Sequence, residues 1–330
     1  MVRKFSLVLG LAMVTLAGGC SLTRTRTDRA LDHYAKASVL MDDYQVAQAL
    51  AELDQALALD GTLVLAYSAK GDILRLEGRY EEAAVAYESA VALDPVSFKD
   101  YYSLGMVYQA LERLEDAVRV YYRACLLEPQ HYEANFNLST CYLQLDQLDE
   151  AEEYCRRAMA LDDSRAETKV NLGVIQDLRQ NYDEAIQSYK RAIEQDPSKP
   201  QVFVNLGGAY LKQGRYDEAE KNLRQAVKLD PELAVAHERL GLCLYRQRKL
   251  AEALAAYERA LDWDTHSAPA YLGAGVTQMA LYLTDGQRED LRGAALQNWQ
   301  RSLELDPDQT TLRAILEKYS RPEVGASPAG

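Results

Sequence analysis

The chain reads as an all-α solenoid, an array of one repeated helix–turn–helix unit, and three observations carry that reading. Alanine recurs at a fixed step of 34 at Ala49, Ala83, Ala117, Ala151, Ala185, Ala219 and Ala253. A second row, seven residues on, runs through Ala56, Ala90, Ala124, Ala158, Ala192, Ala226 and Ala260. Glycine recurs at the same step at Gly71, Gly105, Gly173, Gly207, Gly241 and Gly275, and proline at Pro95, Pro129, Pro197 and Pro231, with Pro307 displaced by eight residues. Fixed self-similarity at such a period marks stacked supersecondary units that bury their apolar faces against one another.

The elements follow in chain order. Arg3 and Lys4 open a secretory-type signal, and Phe5 to Ala17 is an apolar run too short to span a bilayer comfortably. It ends on Leu16, Ala17, Gly18, Gly19 and Cys20, which resembles the lipobox of bacterial lipoproteins. Ala17 stands where that pattern has Leu, and an ordinary cleaved signal with an incidental Cys is the alternative. The resemblance implies removal of residues 1–19 and lipidation, palmitate included, of Cys20. Ser21, in place of a retention Asp, then favours the outer membrane, facing the periplasm. Residues 20–29 form a short tether reaching about 30 Å. Its Arg24, Arg26 and Arg29 either meet anionic headgroups or form a solvated linker.

Residues 30–307 hold eight units, opening near Ala30, Val64, Phe98, Tyr132, Ala166, Pro200, Ala234 and Ala268. The mid-helix glycines cost up to about 1 kcal/mol each against Ala, which a chain tolerates where two helices must approach closely. Tyr87, Tyr121, Tyr189 and Tyr257 are expected to fill the space this leaves. Asn135, Lys169, Ser139, Asp163 and Thr265 depart from the pattern, so the fourth and fifth units are the least ideal. The eighth unit carries an insertion around 282–293, since Ala295 comes eight residues later than the ladder requires. Thr284, Asp285 and Gly286 supply a turn there. Residues 308–320 read as a polar capping helix and 321–330 as a disordered tail.

Tyr101, Leu104, Gly105, Tyr108, Ala117, Tyr121, Ala124 and Pro129 match the tetratricopeptide repeat, and about nine-tenths of the mature chain resembles that family. The resemblance implies a right-handed superhelix whose first helices line a concave groove, with eight units making roughly one turn. It also implies protein binding rather than catalysis.

Composition narrows the partners. With 37 Lys plus Arg against 50 Asp plus Glu the net charge is −13, and −15 once Arg3 and Lys4 are removed. That balance repels nucleic acid. No close-paired Cys or His set suggests a metal, no Gly-rich loop a phosphate, and no Ser/His/Asp set a hydrolase, so neither cofactor nor catalytic residue is expected. Beyond Cys20, the cysteines are Cys125, Cys141, Cys155 and Cys243. Pairing of Cys141 with Cys155 in an oxidising compartment stays open.

The expected partner groove runs over the third to sixth units. Tyr102, Met106, Phe136, Val170, Val204 and Leu211 give it an apolar strip, and Asn137, Asn171 and Asn205 share one slot on consecutive units. An amide both donates and accepts, which suits the backbone of an extended peptide. The row resembles the asparagine ladder of O-linked N-acetylglucosamine transferases. A carboxylate clamp, as in chaperone-binding members, is not expected, because Ser68, Tyr102, Phe136 and Val170 occupy its first Lys position. The resulting expectation is a lipid-anchored scaffold or adaptor gripping an extended segment of an envelope protein. A pilotin-like assembly factor for a secretin or pilus system, or an inner-membrane periplasmic regulator, has the same layout.

Overall fold

The computed structural model describes residues 25–285 and 288–320. The signal segment, Cys20 and the tail at 321–330 therefore lie outside the described residues, as do residues 286 and 287. Two compact units divide within one helix, the first reaching Val107 and the second starting at Tyr108. Among the described residues there are seventeen helices and no strand. In chain order these are α1 (Arg26–Asp42), α2 (Val46–Leu59), α3 (Val64–Leu76), α4 (Tyr80–Leu93) and α5 (Phe98–Ala110), within which the division falls. Then come α6 (Leu114–Leu127), α7 (Tyr132–Gln144), α8 (Leu148–Leu161), α9 (Ala166–Leu178), α10 (Tyr182–Gln195) and α11 (Pro200–Lys212). The last are α12 (Tyr216–Leu229), α13 (Ala234–Arg246), α14 (Leu250–Trp263), α15 (Ala268–Asp285), α16 (Glu289–Leu305) and α17 (Thr310–Ser320). Eight helix pairs precede the single helix α17, which makes the fold an all-α solenoid.

Both alanine rows lie at the seams: all fourteen side chains are fully buried. The glycines face aromatic or branched side chains sixteen residues on. A Cβ added to Gly71 would lie 2.7 Å from Cε1 of Tyr87, one on Gly173 2.5 Å from Cε1 of Tyr189, and one on Gly207 2.6 Å from Cγ of Leu223. The fourth pair breaks the pattern twice and thereby keeps it. Ser139 holds the glycine slot and small, buried Cys155 holds the aromatic one. Ser139 Oγ donates to the Ala151 carbonyl at 2.7 Å, and Cys155 Sγ to that of Thr168 at 3.2 Å. Cys125, Cys141, Cys155 and Cys243 are all free thiols.

The turn inside each pair repeats as regularly as the seams. Tyr44, Gly78, Glu112, Asp146, Gln180, Gly214 and Arg248, again 34 apart, all take positive φ between 57° and 74°. At Gly78 the next amide, of Arg79, donates to the Leu74 carbonyl at 2.8 Å while the Gly78 amide donates to Arg75 at 3.1 Å. That is a Schellman ending, which satisfies the last helical carbonyls and reverses the chain. Between pairs an aspartate makes the corner. Asp60, Asp94, Asp162, Asp196, Asp230, Asp264 and Asp306 each accept, through Oδ1, the amide two residues on. Such an Asx turn works with or without a following proline. Asp163 and Thr265 therefore stand in for Pro without loss of the corner.

The other departures are satisfied in a shared way. Asn135, Lys169 and His237 occupy the bulky slot, and each reaches the carbonyl six residues back: Pro129 at 3.1 Å, Asp163, and Pro231 at 2.8 Å. Buried polar groups are tolerated when so paired, so the fourth and fifth units pack as their neighbours do.

Two boundaries differ from expectation. The first helix begins at Arg26, four residues before Ala30, because Thr25 and Asp28 close a capping box over its first amides. Arg26 thereby leaves the expected tether and donates to the Ala58 carbonyl at 2.9 Å. The extra residues of the eighth pair form no separate element. α15 has 18 residues where the first helices of the second to seventh pairs have 13, and α16 has 17 where the earlier second helices have 14, which accounts for all eight.

Candidate partner-binding face

The residues expected to form a groove all lie on first helices, α5, α7, α9 and α11. In the first compact unit, Tyr102 and Met106 are half-buried, and Tyr102 stacks on Phe98 with ring centroids 5.7 Å apart. In the second, half-buried Phe136 stacks on Tyr132 in the same way, at 5.9 Å and 8°. The spacing of four residues puts each pair on one helix face. The Arg165 guanidinium also lies over the Tyr132 ring, 4.5 Å from its centroid, and helps fix that ring.

The three asparagines are half-buried and each has an internal partner. Asn137 Nδ2 donates to the Tyr121 hydroxyl at 3.3 Å, and that hydroxyl donates to Gln109 Oε1 at 3.2 Å. Asn171 Nδ2 donates across to Thr140 Oγ1 at 3.0 Å, tying α9 to α7. Asn205 Oδ1 accepts from Gln201 Nε2 at 3.2 Å. One amide is thus spent on each partner, leaving the carbonyl of Asn171 and the N–H groups of Asn205 for a ligand.

The apolar strip is less open than the sequence suggests. Val204 is fully buried, packed with Phe203, Ala226 and Ala236, and does not face a groove. Val170 and Leu211 are half-buried against the core that contains Leu206 and Tyr210. Neighbouring pairs pack edge to edge through this row, so their first helices consume part of the apolar surface. Phe136, Val170, Leu211 and the three amides, all half-buried, remain as the partly accessible part of the row in the second compact unit.

Sequence reasoning missed a notch between α13 and α15, a cavity of about 310 Å³. Glu238, Leu242, Tyr245, Arg246, Leu272 and Val276 line it, with Tyr257 and Gly273 at its inner wall. The available signal was positional. The asparagine slot continues at Arg239 and then at Gly273, where the polar side chain is missing. Arg239 turns away from the notch and donates to the Val204 carbonyl at 3.2 Å, over Gly208. Glu238 accepts from Ser267 Oγ at 3.1 Å, and burial raises its pKa above the ordinary carboxylate value.

Buried thiols and phenols titrate late. Burial pushes Cys125, Cys141 and Cys155 up to about 12 and Cys243 to about 11. Such thiols are inert nucleophiles and poor metal ligands. Among the described residues no group of three or more His, Cys, Asp or Glu side chains is placed to hold a metal ion. Nor, among them, is any helix long and apolar enough to cross a membrane.

Comparison with known proteins agrees with this geometry. Residues 23–279 match the family model described as the cilia and flagella-associated protein 70 C-terminal domain. No curated protein sequence matches the chain. Among solved structures it is similar to the APC/C hetero-tetramer Cut9-Hcn1, with 16% identity and a TM-score of 0.61 over 88% of this chain and 55% of that one. The chain thus spans about half the length of that protein. It is also similar to Pseudomonas aeruginosa pilF, with 21% identity and a TM-score of 0.57 over 68% and 98% of the two chains. Both likenesses are ones of fold alone. MamA shares 26% identity and a TM-score of 0.50 over 53% of this chain and 95% of its own. With more than half its length matched, the chain belongs to the cilia and flagella-associated protein 70 C-terminal domain family, a tetratricopeptide-type repeat family.

Proposed function

We propose that this protein is a lipid-anchored scaffold of the bacterial envelope that grips an extended protein segment along its first helices. The helix-pair fold is suited to protein–protein interaction. The observation that carries the reading is the row formed by Phe136, Asn137, Asn171 and Asn205. It sets a half-buried aromatic ring in line with the amides of Asn171 and Asn205, which between them retain acceptor and donor capacity. An extended backbone offers the complementary N–H and C=O groups at regular intervals, and the Phe136 stack offers its side chains an apolar contact. The anchor is Cys20 at the end of the Leu16 to Gly19 run, with Ser21 directing the protein to the outer membrane, facing the periplasm.

Two experiments test the two halves. Cys20→Ser is expected to abolish labelling by radioactive palmitate; undiminished labelling removes the anchor. Asn171→Ala with Asn205→Ala is expected to weaken partner capture by crosslinking from membranes about tenfold, since each net hydrogen bond is worth about 1 kcal/mol. Circular dichroism of the same variant should be unchanged. Intact capture removes the groove, and melted helices make the asparagines structural.

A further inference from the structure

The notch between α13 and α15 is a binding feature separate from the asparagine row, and its chemistry is unusual for this chain. Its walls are the apolar faces of Leu242, Tyr245, Leu272 and Val276, and its charged members are Glu238 and Arg246. Glu238 has no cation within 4 Å among the described residues; its hydrogen bond comes from the Ser267 hydroxyl. The neighbouring Arg239 lends Glu238 some favourable charge at a distance but spends its hydrogen bond on the Val204 carbonyl. A carboxylate drawn partly out of water with a single neutral donor is under-satisfied, and a cationic group brought against it restores what burial removed. At Gly273, the equivalent slot of the asparagine row, no side chain projects; the Tyr257 ring takes that place and forms the inner wall of the notch.

We propose that this notch takes a lysine or arginine side chain flanked by an apolar residue, on an extended segment of a partner protein, with Glu238 as the counter-charge. The long aliphatic stem of such a side chain matches Leu242, Leu272 and Val276, while its charged head reaches the carboxylate. A partner with net positive charge would also be drawn to a chain carrying −13. The inference extends the proposed groove binding to a basic, apolar partner sequence, and rests on that reading only for the partner being an extended polypeptide.

The test uses purified full-length protein and three fluorescein-labelled hexapeptides, with alternating Leu–Lys, Leu–norleucine and Leu–Glu. Anisotropy titrations at low salt are expected to rank the lysine peptide at least tenfold tighter than the norleucine peptide, and the glutamate peptide weakest. Glu238→Gln is expected to erase the lysine preference and leave norleucine binding unchanged. Equal binding of the lysine and norleucine peptides to the unaltered protein overturns the proposal without any variant. So does a lysine preference that survives Glu238→Gln, or no binding of any peptide at millimolar concentration. Asn171→Ala with Asn205→Ala separates the two readings: a retained lysine preference with lost partner capture upholds the notch and leaves the groove to its own test. Retained capture with no lysine preference removes the notch alone.

Discussion

The ring of Tyr257 occupies the space that a side chain on Gly273 would need: a Cβ placed there would lie 2.2 Å from Cζ of Tyr257. Tyr257 also faces Gly241, where an added Cβ would lie 3.0 Å away. One phenol ring is thus clamped between glycines of two successive first helices, and it forms the inner wall of the notch.

Gly273→Ala is therefore expected to destabilise the protein by about 1–3 kcal/mol through overpacking. Gly293→Ala is the control, because a Cβ there meets nothing within 4 Å and its position is helical. That change should be neutral or stabilising by up to about 1 kcal/mol. Thermal unfolding of both variants checks the contrast, and equal midpoints would contradict the packing.

Five of the seven left-handed turn residues are not glycine, and Arg248 at φ 65° is among them. A β-carbon in this region costs about 1 kcal/mol. Arg248→Gly is expected to raise stability by about 0.5–1 kcal/mol, the remainder being offset by the freer unfolded chain. Gly78→Ala, at φ 74°, should lower it by a similar amount. Urea midpoints read both signs.

Lys169 is 4% exposed, and its ammonium donates to Asp163 Oδ1 at 2.7 Å as well as to the Asp163 carbonyl. Lys169→Ala should cost about 1–2 kcal/mol, from lost stem packing and a lost charge-assisted bond. Asp163 is well exposed and regains water, which keeps the loss below that of a fully buried pair. Lys169→Phe, copying Phe203 at the same slot, should recover part of it. A fully neutral Lys169→Ala would make the bond ornamental.

The thiols give a pH dependence with a definite sign. In the native chain Cys125, Cys141 and Cys155 hold their protons to about 12, whereas an unfolded thiol releases its own near 9. Between those values the native state binds more protons, so stability falls as pH rises through the window. Below pH 9 the thiols contribute no pH dependence. Denaturant midpoints measured from pH 8 to pH 11 should hold level to about pH 9 and fall from there, and replacing the three cysteines with Ala should flatten the decline. Ellman's reagent should find the same thiols unreactive until the chain unfolds.

The sequence by itself determined the repeat, its phase and its helical class, because the 34-residue step is written in alanine, and alanine at a helix seam is a local steric requirement. It also determined the eight-residue insertion, since a displaced Ala295 is visible without coordinates. Only the tertiary structure decided what each departure means. Ser139 is harmless because Cys155 stands opposite it, and Asn135, Lys169 and His237 are satisfied because a carbonyl waits six residues back. Exposure was likewise illegible. Val204 and Phe136 hold the same slot in their repeats, yet one is fully buried and the other half-open, because burial depends on the neighbouring helix pair. The notch at Glu238 was hidden for the same reason: it is a space between helices, with an inner wall formed by the Tyr257 ring where Gly273 has no side chain.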